Sequence, residues 1–280
     1  MRTLCAIPLI LAAASAAEEP KTRLAITDTN LHQYEDGPSL QSNHYFVTGE
    51  LVFVSALFGG YHKTDTDPQR IRLSYEIDAF DPEGVKVVAT HSGKIDTQLA
   101  PQDKNWQPKV RHSFAIPPLA DPGTYKLKIS LKDELNSATA SREITFSVRG
   151  HKVEPSATLI VRNFRFLRAE QDTNPVTSAA YRPGDPIWAR FDITGYKLGD
   201  ANRYSVAYGL EVFRGGESMY QEPLAAEKTE ESFYRNRYMP GVININPTPD
   251  IAKGDYTILL RIEDRLGGQK YESRHVFHIE

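Results

Sequence analysis

Hydrophobic and polar residues alternate with a period of two along much of the chain, and that alternation predicts half-buried β-strands. Tyr125, Leu127, Ile129 and Leu131 share one face of such a run, and Lys126, Lys128, Ser130 and Lys132 share the other. Tyr256, Ile258, Leu260 and Ile262 repeat the pattern. Val52, Val54, Ala56 and Phe58 form a third inward row, and Ile187, Ala189, Phe191 and Ile193 a fourth. Leu51, Phe53 and Leu57 fill the alternate positions of the third run, which predicts a strand covered on both faces; Trp188 stands where Phe53 would. Only Leu224 to Ser232 reads as a short helix.

These runs are copies of one another. Gly123–Leu135 matches Gly254–Leu266 in character at every position, at an offset of 131 residues. Phe146 and Val148 continue the match with Phe277 and Ile279. Gly49–Tyr61 matches Gly184–Tyr196 at an offset of 135, and Leu73–Phe80 matches Val206–Phe213 at 133. Ordered blocks with slowly drifting offsets are the mark of a tandem duplication with small loop deletions. Strand spacing and Pro/Gly turns predict seven or eight strands per copy. The expected architecture is all-β, with two antiparallel β-sandwiches in tandem at residues 17–149 and 156–280, joined by a short linker at 150–155.

Within this pattern, Pro122-Gly-Thr-Tyr125 and Lys253-Gly-Asp-Tyr256 resemble the corner before strand F of immunoglobulin-like and fibronectin-type domains. The run Tyr-x-Leu-x-Ile-x-Leu-x-Asp, a turn, then Phe-x-Val is similar to macroglobulin-like and bacterial immunoglobulin-like modules. The resemblance covers the last third of each copy. It implies two tandem immunoglobulin-like sandwiches whose corner tyrosines bond back to the backbone. It also implies a protein that binds, spaces or displays. The chain departs from true immunoglobulin domains in lacking the paired cysteines and the strand-C tryptophan.

The first residues change the picture of where the protein goes. Arg2, the apolar stretch Leu4–Ala14 and Ala14-Ser15-Ala16 read as a signal peptide over 1–16, cleaved before Ala17. The apolar stretch is too short to span a bilayer, and no membrane span is expected after cleavage. The single cysteine, Cys5, falls inside this signal. The mature chain is then expected to hold no disulfide and no thiolate, which favours a bacterial periplasmic or extracellular protein. A net charge of −3 in a chain with 25% charged residues gives no footprint for nucleic acid.

Candidate chemistry is sparse. No G-x-S-x-G elbow, H-E-x-x-H pair or glycine-rich phosphate loop occurs, so no catalytic residue, cofactor or metal is expected. The eight histidines are scattered, and His275 reads as an inward-facing structural residue. Asp65-Thr-Asp67-Pro reads as a solvated turn, and Asp133 and Asp264 as turn aspartates. Arg162, Arg165 and Arg168, interleaved with Phe164 and Phe166, read as an edge strand guarded by charge.

Two loops differ between the copies and are the candidate ligand surface. One carries Trp106; the other carries Tyr234, Arg235, Arg237 and Tyr238. Exposed Trp, Tyr and Arg anchor protein interfaces and stack on sugars. The alternative is that these aromatics fold back to cap a sandwich edge. The expected function is an exported, non-catalytic binding or structural protein with a protein or glycan partner. Carbohydrate binding and periplasmic chaperone activity are the alternatives.

Overall fold

The computed structural model describes residues 23–103 and 105–280, and the backbone but not the side chains of 225–229. The expected signal peptide and Cys5 lie outside the described residues. Among the described residues sixteen strands follow one another. Those of the first half are β1 (Ala25–His32), β2 (Tyr45–Val47), β3 (Leu51–Gly59), β4 (Arg70–Phe80), β5 (His91–Gln98), β6 (Lys109–Ala115), β7 (Gly123–Asp133) and β8 (Thr139–Arg149). Those of the second half are β9 (Ile160–Leu167), β10 (Ala180–Tyr181), β11 (Ile187–Thr194), β12 (Tyr204–Arg214), β13 (Glu217–Glu230), β14 (Tyr238–Ile245), β15 (Gly254–Asp264) and β16 (Gln269–Ile279).

The first eight strands form two sheets, in the orders β1-β3-β6 and β2-β8-β7-β4-β5. The last eight repeat both orders as β9-β11-β14 and β10-β16-β15-β12-β13. The chain is therefore all-β, with two tandem β-sandwiches of the same topology. In each, a short strand pairs in parallel with the last strand (β2 with β8, β10 with β16), and the other pairings are antiparallel.

The inward rows read from the alternation form the cores. Val52, Val54, Ala56, Phe58, Leu127 and Ile129 are buried in the first sandwich; Ile187, Ala189, Phe191, Ile193, Ile258 and Leu260 are buried in the second. Both corner tyrosines make the bond that the resemblance implies. Tyr125 donates its hydroxyl to the Asp121 carbonyl at 2.6 Å, and Tyr256 donates to the Ala252 carbonyl at 2.7 Å.

The two turn aspartates act as latches. Asp133 accepts from the backbone N–H of Leu135 in its own turn and from that of His62 across the sandwich. Asp264 accepts from Leu266 and Gly267 and, across the sandwich, from Lys197. Both carboxylates are fully buried, and these N–H donors satisfy them.

Two expectations fail. Leu224–Ser232 is not a helix: its backbone runs as the end of β13 through Glu230, paired with β12 from Tyr204↔Glu230 to Tyr208↔Ala226. The Gly215-Gly216 turn, with positive φ at both residues, closes the hairpin. Pairing along β12 then satisfies the backbone in place of helical bonds, and local Ala/Glu/Lys propensity is overridden. Leu51 is not covered on the outer face but exposed, because it sits at the end of β3; Phe53 and Leu57 are half-buried.

Candidate functional site

The loop at 231–237 is anchored at its base in the second sandwich. Asn202 donates its side-chain amide to the carbonyls of Ser232 and Phe233. Tyr196 donates to the Asn236 carbonyl at 2.7 Å, and Thr194 to the Arg237 carbonyl at 2.9 Å. These bonds fix the loop backbone and aim its side chains across the joint at the first sandwich.

Tyr234 enters the first sandwich. It is 3% exposed and belongs to that sandwich's hydrophobic core rather than to its own. Its hydroxyl donates to Asp81 Oδ2 at 2.9 Å. Asp81 is held ready by its own turn, since Oδ1 accepts the backbone N–H of Glu83 and of Val85. Burial, with the Asp81 carboxylate beside it, pushes the Tyr234 hydroxyl far above the ordinary tyrosine range, so it stays a proton donor.

The flanking arginines reach the same turn. Glu83 pairs with Arg235 at 2.9 Å and with both terminal nitrogens of Arg237 in a fork. The Arg237 hydrogen bond is the main force holding the Glu83 carboxyl below the usual range. Arg237 also lies 3.5 Å from Asp121, whose carbonyl accepts the Tyr125 corner bond. Burial raises the Asp121 carboxyl, against the pull of Arg237. The loop thus docks on the corner of the first sandwich and on the turn after β4.

Tyr238 is 5% exposed and meets the linker residue His151 edge-on, with ring centroids 5.7 Å apart. His151 Nε2 lies 2.7 Å from Asp192 Oδ2 in β11. Loop, linker and both sandwiches therefore meet at one joint.

Trp106 lies elsewhere. It precedes β6, its carbonyl accepts the Tyr61 hydroxyl, and the residue is 40% exposed. Tyr61 adjoins His62, which bonds to Asp133 at the end of β7. Asp121 lies just before the start of β7, so Trp106 and the joint occupy opposite ends of the first sandwich. The five candidate residues do not converge on one surface. Four of them, Tyr234, Arg235, Arg237 and Tyr238, are engaged at the joint, and Trp106 alone presents an open ring.

Asp81, Glu83 and Asp121 complete the joint and do not stand out in the sequence. The available signal lies in the turn after β4. It reads Asp81-Pro-Glu-Gly84, whereas the corresponding turn of the second copy is Arg214-Gly-Gly216. Acids present in one copy's turn alone mark a partner for a basic loop present only in the other.

The remaining candidates have structural surroundings. His275 is half-buried and stacks on Phe164, with centroids 3.4 Å apart. Arg162 and Arg165 lie on β9, an edge strand of its sheet, and Arg168 follows it. Among the described residues no group of three or more His, Cys, Asp or Glu side chains is placed to hold a metal ion. No described helix is long and apolar enough to cross a membrane.

No protein-family model matches the chain, and no curated protein sequence does. Among solved structures it is similar to the C-terminal domain of the antigen I/II-family protein AspA of Streptococcus pyogenes, with a TM-score of 0.34 and 8% identity over 92% of this chain and 100% of that one. It is also similar to the C-terminal domain of the antigen I/II polypeptide BspA of Streptococcus agalactiae, with a TM-score of 0.32 and 10% identity over 91% and 99% of the two chains. The overlaps are long and the geometric agreement is low.

Proposed function

We propose that the chain is an exported, non-catalytic binding or structural protein, a stiff unit of two immunoglobulin-like sandwiches. The immunoglobulin-like reading is supported by the repeated strand order and by the corner bonds of Tyr125 and Tyr256. The observation that carries the functional reading is the insertion of Tyr234 from the second sandwich into the core of the first. A joint built from a buried aromatic, a buried hydrogen bond and a forked ion pair suits a protein that holds two faces at a fixed distance. A substrate-closing hinge calls for the opposite, a joint with few specific contacts.

Export rests on the signal-like first 16 residues. The partner is a protein or a glycan. Affinity capture of the tagged protein from the exported fraction of its native host tests both. The expected outcome is a reproducible partner found with the protein outside the cytoplasm. Retention in the cytoplasm, or turnover of a substrate by the purified chain, would overturn the proposal. The carbohydrate alternative now rests on Trp106, the one candidate aromatic with an open face. Glycan-array binding that disappears in Trp106→Ala would favour it, and no binding would remove it.

A further inference from the structure

Arg190 of β11 stands directly opposite Arg165 of β9. Like charges in register on neighbouring strands repel, so such a pair calls for a counter-charge. Among the described residues neither guanidinium has a carboxylate within ion-pair distance. Arg190 donates to a backbone carbonyl, that of Glu170. Arg165 Nε is buried with no hydrogen-bond partner at all, a costly state for a charged donor. The buried acid beside them is already committed: Asp192 Oδ2 accepts from Asn163 at 2.8 Å and lies 2.7 Å from His151 Nε2.

The two arginines line a cavity of about 420 Å³ beside the joint. Its other walls come from both sandwiches and the linker: Leu119 from the first, His151 between them, and Tyr238 and Pro240 from the second, with the acids Glu170 and Asp192 also on its lining, neither of them within ion-pair distance of the two guanidiniums. The volume is within the range of small-molecule sites, which combine apolar walls with a few fixed polar groups.

We propose that this cavity is a binding site for a small organic anion of monosaccharide size. Its carboxylate or phosphate group sits between Arg165 and Arg190, and its less polar body lies against Leu119, Tyr238 and Pro240. Two guanidiniums offer forked donors that match the paired oxygens of such a group. The bound anion supplies a counter-charge to the two facing guanidiniums. Because the walls belong to both sandwiches, the ligand also bridges the joint. The site stands on this geometry and does not depend on the proposed partner of the protein.

Calorimetric titration of the purified chain tests it, with glucuronate, glucose 6-phosphate and inorganic phosphate as probes and glucose as the neutral control. At least one organic anion is expected to bind and raise the melting temperature, and glucose to do neither. The comparison of glucuronate with glucose 6-phosphate separates carboxylate from phosphate, and inorganic phosphate shows whether the organic body contributes. Arg165→Gln and Arg190→Gln are each expected to weaken binding about tenfold or more, the loss of one charge-assisted fork. Arg162→Gln, on the same strand but outside the cavity, is expected to bind as the parent does. Should either Gln variant fail to fold, Arg165→Lys and Arg190→Lys carry the same test, since they keep the charge and lose the fork. Absence of binding by every anion at millimolar concentration would overturn the proposal. So would binding that survives substitution of both arginines.

Discussion

Tyr234 is the residue on which the joint turns, and its hydroxyl and ring contribute separately. Tyr234→Phe keeps the ring in the first core but leaves Asp81 Oδ2 without its donor at 2.9 Å. An unmet buried acceptor costs about 1–3 kcal/mol, so urea unfolding should show the first sandwich destabilised by that amount. Two histidines set a different limit. His112 stacks on His91 across the two sheets, with centroids 4.0 Å apart, and burial followed by the His91 charge lowers its pKa from 6.5. Burial against Phe164 lowers that of His275 from the same value. The unfolded chain then binds more protons than the folded one below about pH 6.5. Stability from these two residues is present above that pH and is lost as the pH falls towards their lower folded values. Urea midpoints should decline between pH 7.5 and 5.5, and His275→Phe should flatten the decline.

At the scale of elements, the two copies solve the same packing problem with opposite choices. Ala56 opposes Val110 in the β3–β6 pair, while Phe191 opposes Gly241 in the equivalent β11–β14 pair. A Cβ on Gly241 would lie 2.3 Å from the Phe191 ring, so the glycine is there to make room for that ring. Gly241→Val should destabilise by about 1–3 kcal/mol through overpacking, and Phe191→Ala by about 3–5 kcal/mol through the cavity it leaves. Combined, they recreate the pairing of the first copy. The double variant should therefore be more stable than the sum of the singles predicts, which a double-mutant cycle in urea measures. This kind of correspondence is why so much of the fold was legible. Alternation marked the inward residues of β3, β7, β11 and β15, and the duplication let each copy vouch for the other. β13 was hidden because its pairing with β12 outweighs a locally helical composition. The composition of the 231–237 loop pointed to a ligand surface, and the structure engages Tyr234, Arg235, Arg237 and Tyr238 at the joint. Their partners were not legible, because Asp81 and Tyr234 are 153 residues apart and a contact that distant leaves no periodic trace.

For the whole molecule, the question is how firmly the joint couples the two sandwiches. The buried Tyr234 bond contributes about 1–3 kcal/mol. Glu83 is about half exposed, and each of its pairs with Arg235 and Arg237 contributes about 0–1 kcal/mol. A few kcal/mol is enough to hold one arrangement in solution but too little to make two complete cores melt as one. The joint should therefore be stiff in the native state, with each sandwich still able to fold behind its own core. Cys5 is the only cysteine and lies within the expected signal, so spin labels placed by Ser92→Cys and Lys253→Cys report the spacing without interference. A single narrow distance distribution is expected for the parent. In Tyr234→Ala combined with Arg237→Ala the distribution should broaden severalfold while circular dichroism stays that of two folded sandwiches. The same broadening should appear in the parent only once the pH falls well below 4.5, because the Glu83 carboxyl, held below its ordinary 4.5 chiefly by Arg237, keeps its charge there and gains its proton only at its lowered folded value. A parent distribution already as broad as the variant's would show that the joint is a tether, and the fixed-spacing reading of the function would fall with it.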